Sequence, residues 1–338
     1  MKLKLIFAAA AMALMAGAAN AKTRILVNCF WPSSHFVCTE VIPAWIDEIE
    51  RVTEGRVTGI MPPKSVAAPP EQLASVEKGI ADVAVQFNGL IQNRVSGPMV
   101  AMQPFSGSND AGAMSRALWE TNRKYFPDEF DTVHLLSQFV ISPGQLFSQT
   151  DTPINSMEDL ASRKIWALPG PLAAILKKLE AGVVSTPAAA SNEIISRGVV
   201  DGHIGLDAQA LKAYQVMNYT KSHTAFKGAL YTSSFSVFIN KDKWAEISAE
   251  DQEAIMSVSG AALAESFGSG WDAQNAAAEA EYAGAGLEVV QADPAFEAAL
   301  IEASAFITEG WVKTATEAGI DAEGALEFYK SQLSAPSN

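Results

Sequence analysis

The 338-residue sequence predicts an α/β protein built as two lobes. Three observations carry this reading. Strand and helix patterns alternate β-α-β-α-β over the first third of the chain, and a second alternating run begins near residue 156. An Ala-rich helical pattern then extends from about Ser248 to Tyr282. At 1.5 Å per residue such a helix would run ~50 Å, enough to reach both lobes.

The elements follow in order. "TRILVNCF" (23–30) is a β-rich run ended by Pro32-Ser33-Ser34, after which Phe36, Val37, Val41, Ile42, Trp45 and Ile49 recur at helical spacing. "GRVTGIM" is a second strand. "PPEQLASVEKGIADVAVQF" opens a helix on proline, stops it at Gly79 and continues as a strand over 82–87. Residues 111–125 form a helix, and 133–149 hold two strands around Ser142-Pro143-Gly144. The second run reads as helix 156–161, strand 163–167, helix 171–180, strand "GVVST", helix 187–197, short strand "DGHIGL" and helix 207–217. "SSFSVFIN" (233–240) is a strand, and the remainder is largely helical with one late strand, "GLEVVQA". "GSG" at 268–270 lies inside the long helical pattern and reads as a helix irregularity, not a phosphate cradle.

Residues 1–21 read as a signal peptide cleaved after Ala21. Lys2 and Lys4 precede the apolar run "LIFAAAAMALMAGA", and Ala19-Asn20-Ala21 fits a small-x-small cleavage site. That run is short of the ~20 apolar residues a bilayer span needs. The expected product is a soluble, periplasmic chain of 317 residues, above the ~250–300 at which single cores split. The expected lobes are 22–145 plus 234–270, and 146–233 plus 271–338. Loss of the two lysines takes the net charge from −14 to −16. A surface so acidic argues against nucleic acid and anionic lipid as partners.

Cys29 and Cys38, the only cysteines, read most simply as a disulfide in an oxidising compartment, with two buried thiols as the alternative. His35, His134, His203 and His223 show no ligand spacing, so no metal is expected, and no cofactor either. Nucleophile-elbow, phosphate-loop and dinucleotide fingerprints are absent from the sequence, and the carboxylates are scattered on polar helix faces. Nothing here invites an enzyme.

One ordered set of motifs is more specific than its parts: "RILVNCFWPSSH…AWIDEIERVTEGRV", "EQLASVEKGIADVAV", "PINSMEDLASRKI", "EIISRGVVDGHIG" and "SSFSVFINKDKWAEISAEDQEAI". Together these resemble the DctP-like periplasmic solute-binding proteins of tripartite ATP-independent periplasmic (TRAP) transporters, over nearly the whole mature chain. The resemblance implies two α/β domains closing like a hinge around a cleft, hinge strands and a long domain-spanning helix. It also implies capture of a small solute, delivery to membrane-embedded transporter subunits, and a monomer.

The departures from the family pattern shape the expected ligand. Where the family strand ends Lys-Ile-Arg, with an arginine that clamps a ligand carboxylate, this chain has Lys164-Ile165-Trp166; Gln145 and Gly205 replace a second arginine and an asparagine. An indole offers one N–H and no charge. Trp166 is therefore expected to face the cleft, with Phe30, Trp31, Phe87, Phe105, Phe147 and Tyr231 as further aromatics at strand ends. Most of these could equally be core, Phe105 and Phe147 above all. Gln86, Asn88 and Gln145 are the expected hydrogen-bond formers, and Asp207 the partner of an amine, or else a helix N-cap. Arg163 is expected on the other strand face, in solvent. The favoured ligand is a small amine or zwitterion, such as an amino alcohol or betaine. The alternatives are an aromatic or small carboxylate held by another arginine, Arg94 for instance, or a sensor-input or enzymatic role on the same scaffold.

Overall fold

The computed structural model describes residues 22–333, so the expected signal peptide lies outside the described residues. Two sheets organise the chain. The first runs β2-β1-β3-β10-β4, with β1 Thr23–Asn28, β2 Val57–Ile60, β3 Val83–Phe87, β4 Val133–Val140 and β10 Ser234–Asn240. β1 pairs in parallel with β2 and β3, while β10 enters antiparallel between β3 and β4. Helices α1 (Ile42–Val52), α2 (Gln72–Glu77) and α3 (Ala111–Tyr125) cover it. Ile42, Trp45, Ile46 and Ile49 put the buried stripe of α1 against Ile25, Val27, Val83 and Val85. Leu73 and Val76 of α2 cover Ala84 and Phe238 on the other face.

The second sheet runs β11-β9-β5-β8-β6-β7, with β5 Leu146–Ser148, β6 Lys164–Ala167, β7 Gly182–Ser185, β8 Gly202–Ile204, β9 Ser222–Ala225 and β11 Glu288–Gln291. Only β5 is antiparallel to its neighbours. Around it lie α4 (Met157–Ala161), α5 (Pro171–Lys178), α6 (Ser191–Ser196) and α7 (Ala208–Ala213). β9 is a strand that the sequence reading did not include, since "SHTA" carries almost no apolar pattern and is held by its ladder to β5 and β11.

The chain passes between the sheets at 141–145 and 226–233, where Gly144 bridges Tyr231. Beyond β10 come α8 (Lys241–Ala245), α9 (Ala249–Ser257), α10 (Gly260–Gly284), α11 (Pro294–Glu317) and α12 (Ala322–Leu333). The single helix expected from Ser248 to Tyr282 is thus two. It breaks at Val258-Ser259, and Gly260 takes φ +52° against the Trp119 indole. The remaining 25-residue α10 still runs ~37 Å. Gly268 is a crossing point, not an irregularity: helix α10 is continuous there, and a Cβ would run into the Ala111 carbonyl at the start of α3. The last described helix returns to the first lobe, where α12 packs on α3 with Tyr329 fully buried, and the Trp311 indole donates to the Ser96 carbonyl at 2.9 Å.

Candidate ligand cleft

In open α/β sheets the carboxyl ends of the strands face the crevice where ligands bind. Here those ends bring an aromatic wall together on the first lobe. Phe30 and Trp31 follow β1 and stack at 3.9 Å between ring centroids. Phe235, on β10 beside the ends of β3 and β4, lies 5.4 Å from Trp31, 5.4 Å from Phe87 and 5.1 Å from Phe139. Trp271 of α10 closes the group at 5.7 Å from Trp31 and 5.5 Å from His35. Phe30, Trp31, His35 and Phe87 remain half-buried. Cys29 and Cys38 are bonded, with Cα atoms 5.8 Å apart, so the disulfide closes the loop that carries Phe30, Trp31 and His35.

The second lobe meets this wall at α7. Gln209 reaches His35, Nε2 to Nε2, at 3.4 Å. Asp207 caps α7, its Oδ1 accepting from the Ala210 amide at 2.7 Å, while Oδ2 makes no well-formed hydrogen bond, with only the Trp271 indole loosely near the carboxyl, although the residue is 2 % exposed. Burial pushes its carboxyl up to about 7, against the Ala210 amide and the Trp271 indole, which favour the anion. Gln145, half-buried where the chain enters β5, contacts His223 Nε2 through Oε1 at 3.2 Å. Burial pushes His35 and His223 down to about 4 and His203 to about 3, so all three imidazoles are neutral at pH 7. The result is an apolar, donor-bearing cleft wall with little fixed charge.

Several expected residues stand elsewhere. Trp166 is fully buried among Ile195, Val200, Leu206, Leu211, Ala278 and Tyr282, and its indole N–H donates to Thr186 Oγ1 at 2.8 Å. The register explains this: Trp166 opposes Val184 and His203, in a row continued by Phe147 and His223, and α6, α7 and α10 cover that face. Phe147 is likewise buried, stacked against His203 at 4.8 Å. Phe105 packs edge-on to Phe226 at 5.9 Å, away from the wall. Asn88 is spent within the first sheet, donating to Ser234 Oγ and accepting from Ser236 Oγ. Gln86 clamps the start of α2 through the Leu73 amide and the Pro69 carbonyl. Tyr231 is buried in the crossing strand, where burial raises its phenol and its side chain bonds to Ser233.

The arginines are also committed. Arg94 pairs with Glu77 at 2.6 Å on the surface, and Arg163, expected in solvent, instead ties Ser148 Oγ, Thr150 Oγ1 and the carbonyls of Thr152 and Pro153. Gly205 has a backbone reason: its φ is +103°, and a Cβ there would also run into the Leu172 side chain. Sequence reasoning missed Trp271, Phe235, His35 and Gln209. Trp271 carried a signal, as the lone large aromatic in "GSGWDAQN" on the helix that reaches both lobes.

This architecture is shared with known proteins. The profile of the family described as bacterial extracellular solute-binding protein, family 7, matches residues 27–314. The chain belongs to that family, the TRAP-type receptors. A TRAP periplasmic solute-binding protein from Bordetella bronchiseptica, solved with bound (R)- and (S)-mandelate, is 31 % identical with a TM-score of 0.83, covering 92 % of this chain and 98 % of that one. A marine metagenome TRAP solute-binding protein specific for aromatic acid ligands superposes at a TM-score of 0.82 and 23 % identity, over 93 % of this chain and 98 % of its own, which speaks to the fold. The Comamonas testosteroni protein TsaT, named an outer membrane transporter protein, is 35 % identical over 313 residues, 92 % of each chain. Among the described residues of this family member, no helix is long and apolar enough to cross a membrane, and no acidic, His or Cys group could hold a metal.

Proposed function

We propose that this chain is the periplasmic receptor of a TRAP transporter and captures a small aromatic acid. The two lobes, one built on the β1–β4 and β10 sheet and the other on the β5–β9 and β11 sheet, close on the ligand, and the closed form is handed as a monomer to the membrane-embedded transporter subunits. It acts by binding, not by catalysis, after export and removal of residues 1–21. The observation that carries the ligand class is the half-buried aromatic wall of Phe30, Trp31 and Phe87, backed by Phe235 and Trp271, at the mouth of a cleft with neutral donors. Planar rings stack against such a surface, and a few polar groups orient them. Mandelate in the Bordetella relative supports the same class.

The amine reading loses both of its supports. Trp166 is buried with its N–H spent, and Asp207 spends Oδ1 on the α7 cap while burial raises its carboxyl to about 7, so it is no preformed full anion for an ammonium group at pH 7. In this reading Gln145, at the crossing into the second sheet, and Gln209 and Asp207 of the second lobe orient the acid. A thermal-shift screen of the mature protein against mandelate enantiomers, benzoate, betaine and amino alcohols tests the proposal. Aromatic acids should raise the melting temperature by ligand linkage, about 2.7 kcal/mol at 100 times Kd. Stabilisation by amines alone would refute it.

A further inference from the structure

Asp207 is the one acid buried where the two lobes meet the aromatic wall. It follows β8, spends Oδ1 on the α7 cap and leaves Oδ2 without a well-formed hydrogen bond, the Trp271 indole approaching the carboxyl only loosely, while Gln209 two residues on touches His35 across the lobe boundary. An oxygen so poorly satisfied in a buried position is costly unless something completes it. The groups facing it add no competing cation. Tyr214, just after α7, and Tyr282 of α10 are both raised by burial, and Glu279 of α10 disfavours a second negative charge. His35, beyond Gln209, is neutral.

We propose that Asp207 engages the ligand as a neutral carboxylic acid, donating its Oδ2–H to the ligand carboxylate, so that each anion is held against one proton, already on Asp207 at low pH and taken up with the ligand at high pH. This deepens the aromatic-acid reading and rests on it. The step makes one hydrogen bond and breaks none of the covalent bonds: the proton stays between the Asp207 oxygen and a ligand oxygen. Two ionised carboxyls at that distance would repel in a desolvated setting, whereas an acid–carboxylate pair shares its proton. In the empty receptor, burial holds the carboxyl at about 7. Below that pH the donor is already present; above it, binding must first recover a proton, and affinity falls about tenfold per pH unit.

Titration calorimetry with (R)-mandelate, (S)-mandelate and benzoate from pH 6 to pH 9, in two buffers of different ionisation enthalpy, tests this on the wild-type protein. The expected result is proton uptake rising towards one per ligand above pH 8, with Kd weakening about tenfold per unit. Asp207→Asn, which keeps a side-chain cap and an N–H donor, should bind with a Kd independent of pH. Tight mandelate or benzoate binding with no proton uptake and a flat Kd would overturn the inference and leave the aromatic-acid reading standing. Failure of every aromatic acid, with another solute bound instead, would overturn both.

Discussion

Trp166 and Trp31 separate packing from recognition at the level of single residues. Trp166→Phe removes the donor to Thr186 and part of a buried ring, so it should cost about 1–3 kcal/mol of stability by denaturant titration while moving the ligand Kd less than about threefold. Trp31→Ala should do the reverse. It strips the ring stacked on Phe30, and calorimetry should find mandelate affinity at least about tenfold lower with little change in melting temperature. Protonation adds a third expectation. His35, His203 and His223 are depressed below 6.5, so they take up protons only on unfolding between pH 6.5 and about 4, and the stability they support is lost as pH falls through that window. Asp207 is raised from 3.8 to about 7, so the folded state holds its proton and the stability it contributes is lost as pH rises from about 4 to 7. Three groups outweigh one throughout this range, so melting temperature should rise with pH from about 4 to 6.5 and level off above about 7. Asp207→Asn removes the one opposing contribution and should steepen that rise.

The disulfide and the helix crossing show what each element needs from its neighbours. Replacing Cys29 and Cys38 by serine frees the loop bearing Phe30, Trp31 and His35, and should lower stability by about 2–3 kcal/mol in urea unfolding, with a larger relative loss in ligand affinity. Gly268→Ala should unseat α10 from the Ala111 carbonyl and lower the melting temperature sharply. Much of this layer was legible in sequence. The alternation of "RILVN" and "SSFSVFIN", the proline-started helix after Pro69 and the cysteine pair each carried a local physical signal. β9 did not, because four residues with little apolar pattern become a strand only when β5 and β11 supply their ladders. The side chains of the cleft were harder still. A tryptophan at the end of a strand can face ligand or helix, and only the row Trp166–His203–Phe147–His223, buried under α6, α7 and α10, decides which. Trp271 joins the wall from a helix remote in sequence, so no spacing announces it.

At the scale of the molecule, the two crossings and α10 make the lobes a hinged pair, and small-angle scattering should record a smaller radius of gyration with saturating mandelate than without. Thermal unfolding should be one cooperative transition, because α12 from the far end of the chain packs on α3 of the first lobe. The position of β10 carries a further consequence. It is the inner strand between β3 and β4, yet it is made about a hundred residues after β4 begins, with the entire second sheet except β11 encoded before it. The first lobe therefore cannot close its sheet while it leaves the ribosome, and α3 waits longer still for its cover. Long non-local pairing of this kind delays folding. The proposed export through a narrow translocation channel would draw on the same delay: the earlier-made strands of the first sheet have no complete sheet to fold into until β10 arrives.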